Sequence, residues 1–236
     1  MKNFLTILVL ITFLQAQAQE SSVAERMAGT AMSLWKDVFT SDPSKPPKWT
    51  YDEGVVLKGI QGLWYNTGDG KYFRYIKHCM DFFVDSAGNI KTYKFEDFNL
   101  DNINNGRILL LLYQVTGEKK YWIAATKLRE QLKEQPRNEK GGFWHKKIYP
   151  NQMWLDGLYM AEPFYAEYAS LSHDTSAFDD IAKQFILMEQ HSRDPKSGLL
   201  YHAWDASKNE KWANKTTGLS PNFWGRAMGW YGMALV

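Results

Sequence analysis

The stretch "TGDGKYF" at residues 67–73 recurs as "TGEKKYW" at residues 116–122. In each copy a Thr-Gly turn is followed by an aromatic pair, and an apolar helical pattern precedes it: "VVLKGIQGLWYN" before the first and "RILLLLYQV" before the second. A third, degenerate copy is "SHDTSAFDDIAKQFILM" at residues 172–188. A repeat of about 50 residues that carries two helices predicts stacked helical hairpins.

Helical periodicity runs through the rest of the chain and supports this reading. The apolar faces it predicts include Met27, Ala31 and Leu34; Tyr121, Ala125, Leu128 and Leu132; and Phe178, Ile181, Phe185 and Met188. Alternating patterns are scarce, and the best strand candidates are "GGFWHKK" at residues 141–147 and "GLLYHAWD" at residues 198–205. The sequence therefore predicts an all-α fold.

Aromatic and polar residues gather where the apolar helices begin, which favours a closed ring over an open solenoid. The stretches are "KWTYDEGVVL" at 48–57, "FNLDNINNGRILL" at 98–110 and "NQMWLDGLYM" at 151–160. In a closed ring these helix ends converge on one face and form a single concave site, whereas an open solenoid spreads them along a groove. We therefore predict a toroid with an inner and an outer set of helices.

The last stretch, "WGRAMGWYGMALV" at residues 224–236, is an apolar helical pattern without a stop signal. Hairpins of about 50 residues each number roughly four in this chain. A ring of six would need residues beyond Val236, so we expect residues 20–236 to form part of one barrel domain.

Composition and the first residues indicate an exported protein. The net charge is only +2 and basic residues are interspersed with acidic ones, which argues against nucleic acid as a partner. Residues 1–19 combine Lys2, an apolar run and Ala-x-Ala spacing, the pattern of a cleavable signal peptide. The apolar run at 4–14 is shorter than the ~20 residues of a membrane span. We expect a periplasmic or secreted protein without a disulfide, because Cys79 is the only cysteine.

Four separated stretches share acids, aromatics and small residues: "LDNINNGR" (100–107), "MWLDGLYM" (153–160), "YHAWD" (201–205) and "FWGRAMGW" (223–230). Tryptophans combined with Asp, His and Arg are typical of a carbohydrate site, since aromatic faces stack on sugar rings and polar groups take the hydroxyls. Asp156 lies among Trp and Leu, where desolvation disfavours a charged carboxylate and suits it to carry a proton near neutral pH.

In order and spacing, these motifs resemble the unsaturated rhamnogalacturonyl hydrolases of glycoside hydrolase family 105, which are related to the unsaturated glucuronyl hydrolases of family 88. The resemblance extends over residues 26–236. It implies an (α/α)6 barrel. It also implies a substrate produced by polysaccharide lyases, an oligosaccharide with a 4,5-unsaturated uronic acid at its non-reducing end.

Matched motif by motif, the resemblance assigns Asp156 as the general acid/base and Asp101 as the second active-site acid. The positions that it implies for the sugar pocket are His145, Trp154, His202, Trp224, Arg226 and Trp230, with weaker matches at Trp49 and Tyr51.

The chemistry follows from the enol ether formed by C4=C5 and the ring oxygen. Protonation at C4 gives an oxocarbenium-like centre at C5, water adds there, and the hemiketal opens and releases the remaining saccharide. Arg226 could pair with the substrate carboxylate. No metal or other cofactor is expected, because the histidines lack metal-site spacing.

Two alternatives remain open at this stage. The first keeps the fold and chemistry but takes unsaturated glucuronyl saccharides derived from glycosaminoglycans or ulvan. The second is a carbohydrate-binding protein without catalysis, because fold alone does not determine function.

Overall fold

Helices form nearly all of the regular secondary structure in the described chain. A computed structural model describes residues 22–40, 42 and 44–236, so the predicted signal peptide at residues 1–19 lies outside the described residues. The α-helices in this part are α1 (Val23–Leu34), α2 (Tyr51–Thr67), α3 (Gly70–Phe83), α4 (Gly106–Thr116), α5 (Lys119–Glu134), α6 (Leu155–Ser172), α7 (Ala177–Ser192) and α8 (Gly225–Ala234). Among them, none is both long and apolar enough to cross a bilayer. The predicted all-α class is confirmed.

The repeated Thr-Gly turns join successive helices. Gly68 ends α2 with φ 67° and Gly117 ends α4 with φ 71°, the left-handed conformation that glycine adopts without a Cβ clash. The hydroxyls of Thr67 and Thr116 each donate to the carbonyl four residues earlier at 2.7 Å. In the degenerate copy His173 takes the left-handed position, with φ 57°. The repeat predicted from the sequence is therefore confirmed as three equivalent helix-to-helix turns.

Successive hairpins place α2, α4, α6 and α8 on the inside. Each of these inner helices packs against the next one, while α3, α5 and α7 pack back as the outer partners of α2, α4 and α6. Because every inner helix follows an outer one, the inner helices all begin at the same face. That face gathers the residues just before or at the starts of α2, α4, α6 and α8.

Helix α4 illustrates how an inner helix is fixed in place. Its residues Ile108, Leu109, Leu110 and Leu112 are fully buried, because the helix contacts α2, α3, α5 and α6. A helix that is apolar on nearly all sides belongs in the interior. Each such side chain contributes about 1.5–3 kcal/mol by leaving water, so α4 is a principal source of core stability.

Helix α1 forms as its periodicity predicts, but its apolar face is open. Met27 and Leu34 are each 68% exposed. Together with α2 they line an apolar groove of about 650 Å³. A capping box between Ser22 and Glu25 begins this helix.

The single cysteine, Cys79, lies on α3 and is fully buried. Burial raises the pKa of its thiol to about 12, and the nearby Glu53 acts in the same direction. A thiol in this state is unreactive, since the thiolate is the nucleophile.

The strand predictions were only partly right. Residues 141–147 form no strand; the backbone there wraps around Asn138, whose side-chain oxygen accepts from the N–H of Gly142 at 3.0 Å. The observed strands are β1 (Gln152–Trp154) and β2 (Ala203–Asp205), paired antiparallel with Met153 opposite Trp204. The second prediction therefore overlaps β2, while the partner strand falls outside the first.

Candidate active site

Asp156 lies in the first turn of α6, the position that the sequence singled out. It is 9% exposed, and its Oδ2 is 3.1 Å from Nε2 of His202. The backbone amides at a helix N-terminus carry partial positive charge and favour an anion there. The carboxyl group therefore has a proton-exchanging partner on one side and the helix start on the other.

The β1–β2 pair holds His202 against Asp156. His202 directly precedes β2, and its carbonyl accepts from the N–H of Leu155 at 3.1 Å. Trp204 in β2 is 3% exposed and stacks on His191 with ring centroids 3.8 Å apart. This packing fixes β2 in place, and β2 in turn holds His202 in contact with Asp156.

Asp101 occupies a short 3-10 helix, Leu100–Ile103, that precedes α4. Its Oδ1 is 3.3 Å from Nε2 of His145, and Lys146 donates to its Oδ2 at 2.6 Å. Burial by itself would raise the pKa of Asp101, but the hydrogen bond with His145 and the charge of Lys146 outweigh it and lower the pKa to about 2. Asp101 is therefore an anion throughout the neutral range.

Trp154 lies between the two acid–histidine pairs. Its ring stacks on His145 at 4.5 Å and 13°, and its centroid is 5.3 Å from that of His202. Tyr149 stacks on Trp154 as well, at 4.9 Å and 19°. One indole thus connects the partner of Asp101 with the partner of Asp156.

Gly157 is required where α6 passes His145. A Cβ at this position would be 2.9 Å from Nδ1 of His145 and 3.2 Å from a methyl group of Leu100. His145 is only 2% exposed, so its ring cannot move aside freely. Because Gly157 has no side chain, the ring of His145 can pack against the start of α6 and still reach Asp101.

The motif at the start of α8 completes the wall on the His202 side. Trp224 meets His202 edge to face at 5.0 Å, and the guanidinium of Arg226 lies 3.8 Å from the centroid of Trp224. A cation over an indole face is attracted to the ring, which orients Arg226. Arg226 stays exposed, so its donors face open solvent.

Tyr51 and Trp230 bring the inner helices α2 and α8 into contact. Trp230 contacts Tyr51 at 6.4 Å and Tyr159 at 4.7 Å, measured between ring centroids. Partial burial raises the pKa of Tyr51 and the charge of Asp52 raises it further, while the cation of Arg226 opposes both. The ring contact between Tyr51 and Trp230 brings the start of α2 next to α8.

Trp49 does not line the site, which corrects the weakest of the sequence assignments. The residue is 3% exposed, its ring packs edge to face on Phe83 at 5.7 Å, and its Nε1–H donates to the carbonyl of Asn102 at 2.8 Å. It therefore supports the segment that carries Asp101 instead of offering a face to a ligand. When two aromatic residues lie close together in a motif, the sequence alone does not show which ring faces the site.

Sequence reasoning missed Lys146 and Tyr149. Both follow His145 closely in "FWHKKIY", and the paired lysines were the available signal that one of them neutralises an acid.

Within the described residues, no group of three or more His, Cys, Asp or Glu side chains is arranged to hold a metal ion.

The sequence profile described as Glycosyl Hydrolase Family 88 matches residues 23–236. The chain therefore belongs to this family.

Two relatives show which members of the family this chain resembles. The unsaturated rhamnogalacturonyl hydrolase YesR of Bacillus subtilis (strain 168) is 28% identical over 194 residues, which is 80% of this chain and 52% of that protein. The solved structure of a glycoside hydrolase from family 105 of C. acetobutylicum ATCC 824 is 45% identical, with a TM-score of 0.84, and the match covers 91% of this chain and 58% of that one. These relatives confirm the resemblance to family 105.

A more distant structure bears on the fold alone. The GH76A α-1,6-mannanase of Salegentibacter sp. HEL1_6 matches with a TM-score of 0.69 at 19% identity, over 89% of this chain and 62% of that chain. With the family 105 structure, it confirms that the helices belong to the (α/α)6 barrel class. The chain spans about half the length of the curated relative YesR, at 52%.

Proposed function

We propose that this chain carries the acid/base site of a hydrolase that removes a 4,5-unsaturated uronic acid from the non-reducing end of rhamnogalacturonan oligosaccharides made by polysaccharide lyases. The observation that carries the proposal is the difference in surroundings between two carboxyl groups, Asp101, which is partly buried, and Asp156, which is buried. Asp101 is held as an anion by His145 and Lys146, whereas Asp156 shares a hydrogen bond with a single histidine. Two acids in such unlike surroundings are suited to different roles.

In this scheme Asp156 is the proton donor. A proton moves from its carboxyl group to C4 of the substrate, and the electron pair of C4=C5 forms the new C4–H bond. Positive charge then develops at C5 and the ring oxygen, where the fixed negative charge of Asp101 stabilises it. His202, bonded to Asp156, keeps the donor oriented and in contact with a second proton-exchanging group.

In the second half of the proposed reaction, a proton returns to Asp156. The Asp156 carboxylate takes a proton from the water that adds to C5, which restores the acid and leaves a hemiketal. The hemiketal then opens: its C5–O bond to the ring oxygen breaks, a ketone forms at C5, and the hydroxyl proton passes to the ring oxygen. The hemiacetal left at C1 collapses to an aldehyde, and its proton passes to the oxygen of the departing saccharide. We propose that Arg226 pairs with the uronate carboxylate through two parallel hydrogen bonds; its exposure and its stacking on Trp224 support this role.

The test follows the ultraviolet absorbance of the conjugated enol acid in unsaturated galacturonyl-rhamnose. We expect the wild-type protein to consume the signal and Asp156→Asn to be slower by at least ~100-fold, because general acid/base groups contribute 10²–10⁴-fold. Asp179→Asn is the matched control, since Asp179 is exposed on α7 and outside the site. It should keep the wild-type rate.

The other results each have a definite meaning. Consumption only of unsaturated glucuronyl saccharides would preserve the chemistry and reject the rhamnogalacturonan substrate. Binding of oligosaccharide without turnover, unaffected by Asp156→Asn, would reject catalysis in favour of a carbohydrate-binding role.

We also propose that the protein is exported to the periplasm or secreted. Residues 1–19 support this, with a basic start, an apolar run and Ala16 and Ala18 in cleavage-site spacing. Mass spectrometry of the protein from its source cells should find a mature N-terminus close to residue 20. A chain that retains Met1 in the cytoplasm would reject export.

A further inference from the structure

A small cavity adjoins the candidate active site on its interior side. The lining includes Trp154 and Gly157 from the site, Glu162 from the middle of α6 and Gln184 from α7. The volume is about 10 Å³, close to the least that accommodates one water molecule. A water is stable in such a space only where several polar groups meet it, so the unpartnered polar atoms around the cavity decide what it binds.

Glu162 brings an unpartnered acid to the cavity. The residue is 2% exposed, and its Oε2 has no hydrogen-bond partner among the described residues. The charged groups that act on it are Asp180 and Arg137, which pair with each other at 2.6 Å. Burial and the charge of Asp180 raise the pKa of Glu162 well above its ordinary value, although Arg137 opposes this shift. The neutral carboxyl group is therefore favoured, and its O–H is a hydrogen-bond donor.

The second unpartnered group is Nδ1 of His145. This residue is 2% exposed, and its Nδ1 has no hydrogen-bond partner in the described part of the chain. A Cβ on Gly157 would be 2.9 Å from this nitrogen and 3.2 Å from Leu100. Gly157 and Leu100 both line the cavity, so Nδ1 lies at that end of it. The other ring nitrogen, Nε2, is 3.3 Å from Oδ1 of Asp101.

Gln184 has one position left for a further hydrogen bond. Its Nε2 donates to the carbonyl of Gly141 and to Oδ1 of Asp180 at 3.2 Å each. Its Oε1 accepts from the N–H of Phe143 at 2.9 Å, and a carbonyl oxygen has two lone pairs. Gln184 can therefore accept one more hydrogen, and its bonds fix it against the segment that leads to His145.

We infer that this cavity binds one water molecule, and that Glu162 acts through this water as a positioning residue for His145. The water accepts the O–H of Glu162 and donates to Nδ1 of His145 and to Oε1 of Gln184, which gives it the three hydrogen bonds typical of a buried water. The inference rests on the proposed function, because the state of His145 matters for turnover only if Asp101 takes part in the reaction.

The neutral state of Glu162 sets the direction of these bonds. A protonated carboxyl group donates to the water, so the water turns a hydrogen toward Nδ1 and that nitrogen stays unprotonated. The proton of a neutral imidazole is then at Nε2, where it meets the carboxylate of Asp101. An ionised Glu162 would reverse the water and favour a proton at Nδ1. The buried acid of the core thereby acts on the charged acid of the site without contacting substrate.

Crystal structures of wild type, Glu162→Gln and Glu162→Leu test for the water. Wild type should show an ordered water within hydrogen-bond distance of both Oε2 of Glu162 and Nδ1 of His145. Glu162→Gln should retain it, because an amide N–H replaces the O–H, and Glu162→Leu should lose it. A wild-type structure in which no water contacts both atoms overturns the inference.

Nitrogen nuclear magnetic resonance of the histidine rings reports the state of Nδ1. The chain has five histidines, and comparison with His145→Gln identifies the signal of His145. At neutral pH His145 should be protonated at Nε2 only, and its Nδ1 signal should move in Glu162→Leu but not in Glu162→Gln. A proton on Nδ1 in wild type, or an Nδ1 signal that Glu162→Leu does not move, rejects the role of Glu162.

Glu53→Leu is the matched control for this signal. Glu53 is also a fully buried acid whose carboxyl oxygens have no partner among the described residues, but it does not line the cavity. The substitution should leave the Nδ1 signal of His145 where it is in wild type. An equal movement of that signal in Glu53→Leu and Glu162→Leu would show a general effect of losing a buried acid and would overturn the inference.

Turnover of unsaturated galacturonyl-rhamnose supplies the functional readout. Glu162→Leu should lower kcat ~10-fold with little change in KM, and Glu162→Gln should stay within ~2-fold of wild type, because the misplaced group serves the reaction and not binding. Equal losses of kcat in both variants would reject Glu162 as a donor. If wild type consumes no substrate, the proposed function fails, while the crystallographic and resonance measurements still decide the water and the state of His145. If Glu162→Leu does not fold, wild type and Glu162→Gln decide them.

Discussion

Asp101 is partly buried on the site face and Glu162 is buried in the middle of α6, yet their pKa values shift in opposite directions. Asp101 contacts His145 and Lys146, and its pKa falls to about 2. Glu162 is 2% exposed, and one of its carboxyl oxygens has no hydrogen-bond partner among the described residues. Burial, reinforced by the charge of Asp180, raises the pKa of Glu162 well above its ordinary value, although Arg137 opposes this.

Glu53 behaves like Glu162. It is fully buried in the first turn of α2, neither of its carboxyl oxygens has a partner in the described part of the chain, and burial raises its pKa well above the ordinary value. The comparison teaches that burial without a partner raises the pKa of an acid here. At Asp101, on the face where the inner helices begin, a histidine and a lysine reverse that effect.

The largest effect should come from removing the anion on the site face. We expect Asp101→Asn to lower kcat/KM by ~100–1,000-fold, since the stabilising charge opposite the developing oxocarbenium ion is lost. The free energy of unfolding at pH 7 should fall by about 2 kcal/mol. Kinetics and urea unfolding measure the two quantities.

The pH dependence supplies the check on this substitution. The folded pKa of Asp101 is lowered from an ordinary 3.8 to about 2, so its stabilisation is present above about pH 4 and is lost as the pH falls through 2. Wild type and Asp101→Asn should therefore converge in stability at the acidic end. A constant difference between them down to that pH would contradict the assignment of charge.

A smaller effect of opposite sign is expected in the core. The raised folded pKa of Glu162 means that its contribution to stability is present below about pH 4 and is lost as the pH rises toward the folded pKa. Glu162→Gln should therefore be more stable than wild type at pH 8 by ~1 kcal/mol, or ~2–4 °C in Tm. The gain should disappear near pH 4.

Glu53→Gln is the parallel substitution and should behave in the same way. If both glutamine variants were less stable than wild type at pH 8, the two glutamates would be partnered anions. The contrast between core and site would then be wrong.

The smallest effect should sharpen the comparison by removing only one partner of Asp101. Lys146→Met takes away the ammonium group 2.6 Å from Asp101 but leaves His145 in place. The pKa of Asp101 should rise toward its ordinary value, and the acidic limb of the kcat/KM profile should move up by ~1 pH unit. Lys147→Met is the adjacent control and should leave the profile unchanged, because Lys147 is exposed over Phe98.

The hairpin architecture was predictable because it depends on local chemistry. A Thr-Gly pair supplies a left-handed residue and a hydroxyl that bonds the preceding turn, so Gly68 and Gly117 identify the inner-to-outer turns by themselves. The third copy was recognisable only as degenerate, since His173 adopts the left-handed conformation without being glycine. The presence of the helices was therefore easier to predict from the sequence than the conformation of the turns that join them.

The site was predictable only as far as its motifs extend. Asp156 and His202 were each assigned to the site, but their contact was not predicted. They lie 46 positions apart in the sequence, and the β1–β2 pairing brings them to 3.1 Å. Whether Tyr51 or Trp49 faces the site depends on tertiary packing. Trp49 is held away from it by its contacts with Phe83 and Asn102. Lys146 was missed because the paired lysines at 146 and 147 indicate that an acid is neutralised but not which acid, and Asp101 lies on another segment.

The buried thiol on α3 has a practical consequence. Because Cys79 is the only cysteine and its pKa of about 12 keeps it protonated, a second cysteine placed at the surface would be the sole site for thiol chemistry. Lys211 is exposed and immediately precedes Trp212. Trp212 lines a cavity together with His202 and Trp224. A fluorophore attached to Lys211→Cys would therefore lie beside the candidate active site and report ligand binding there in real time, with the native cysteine left in place.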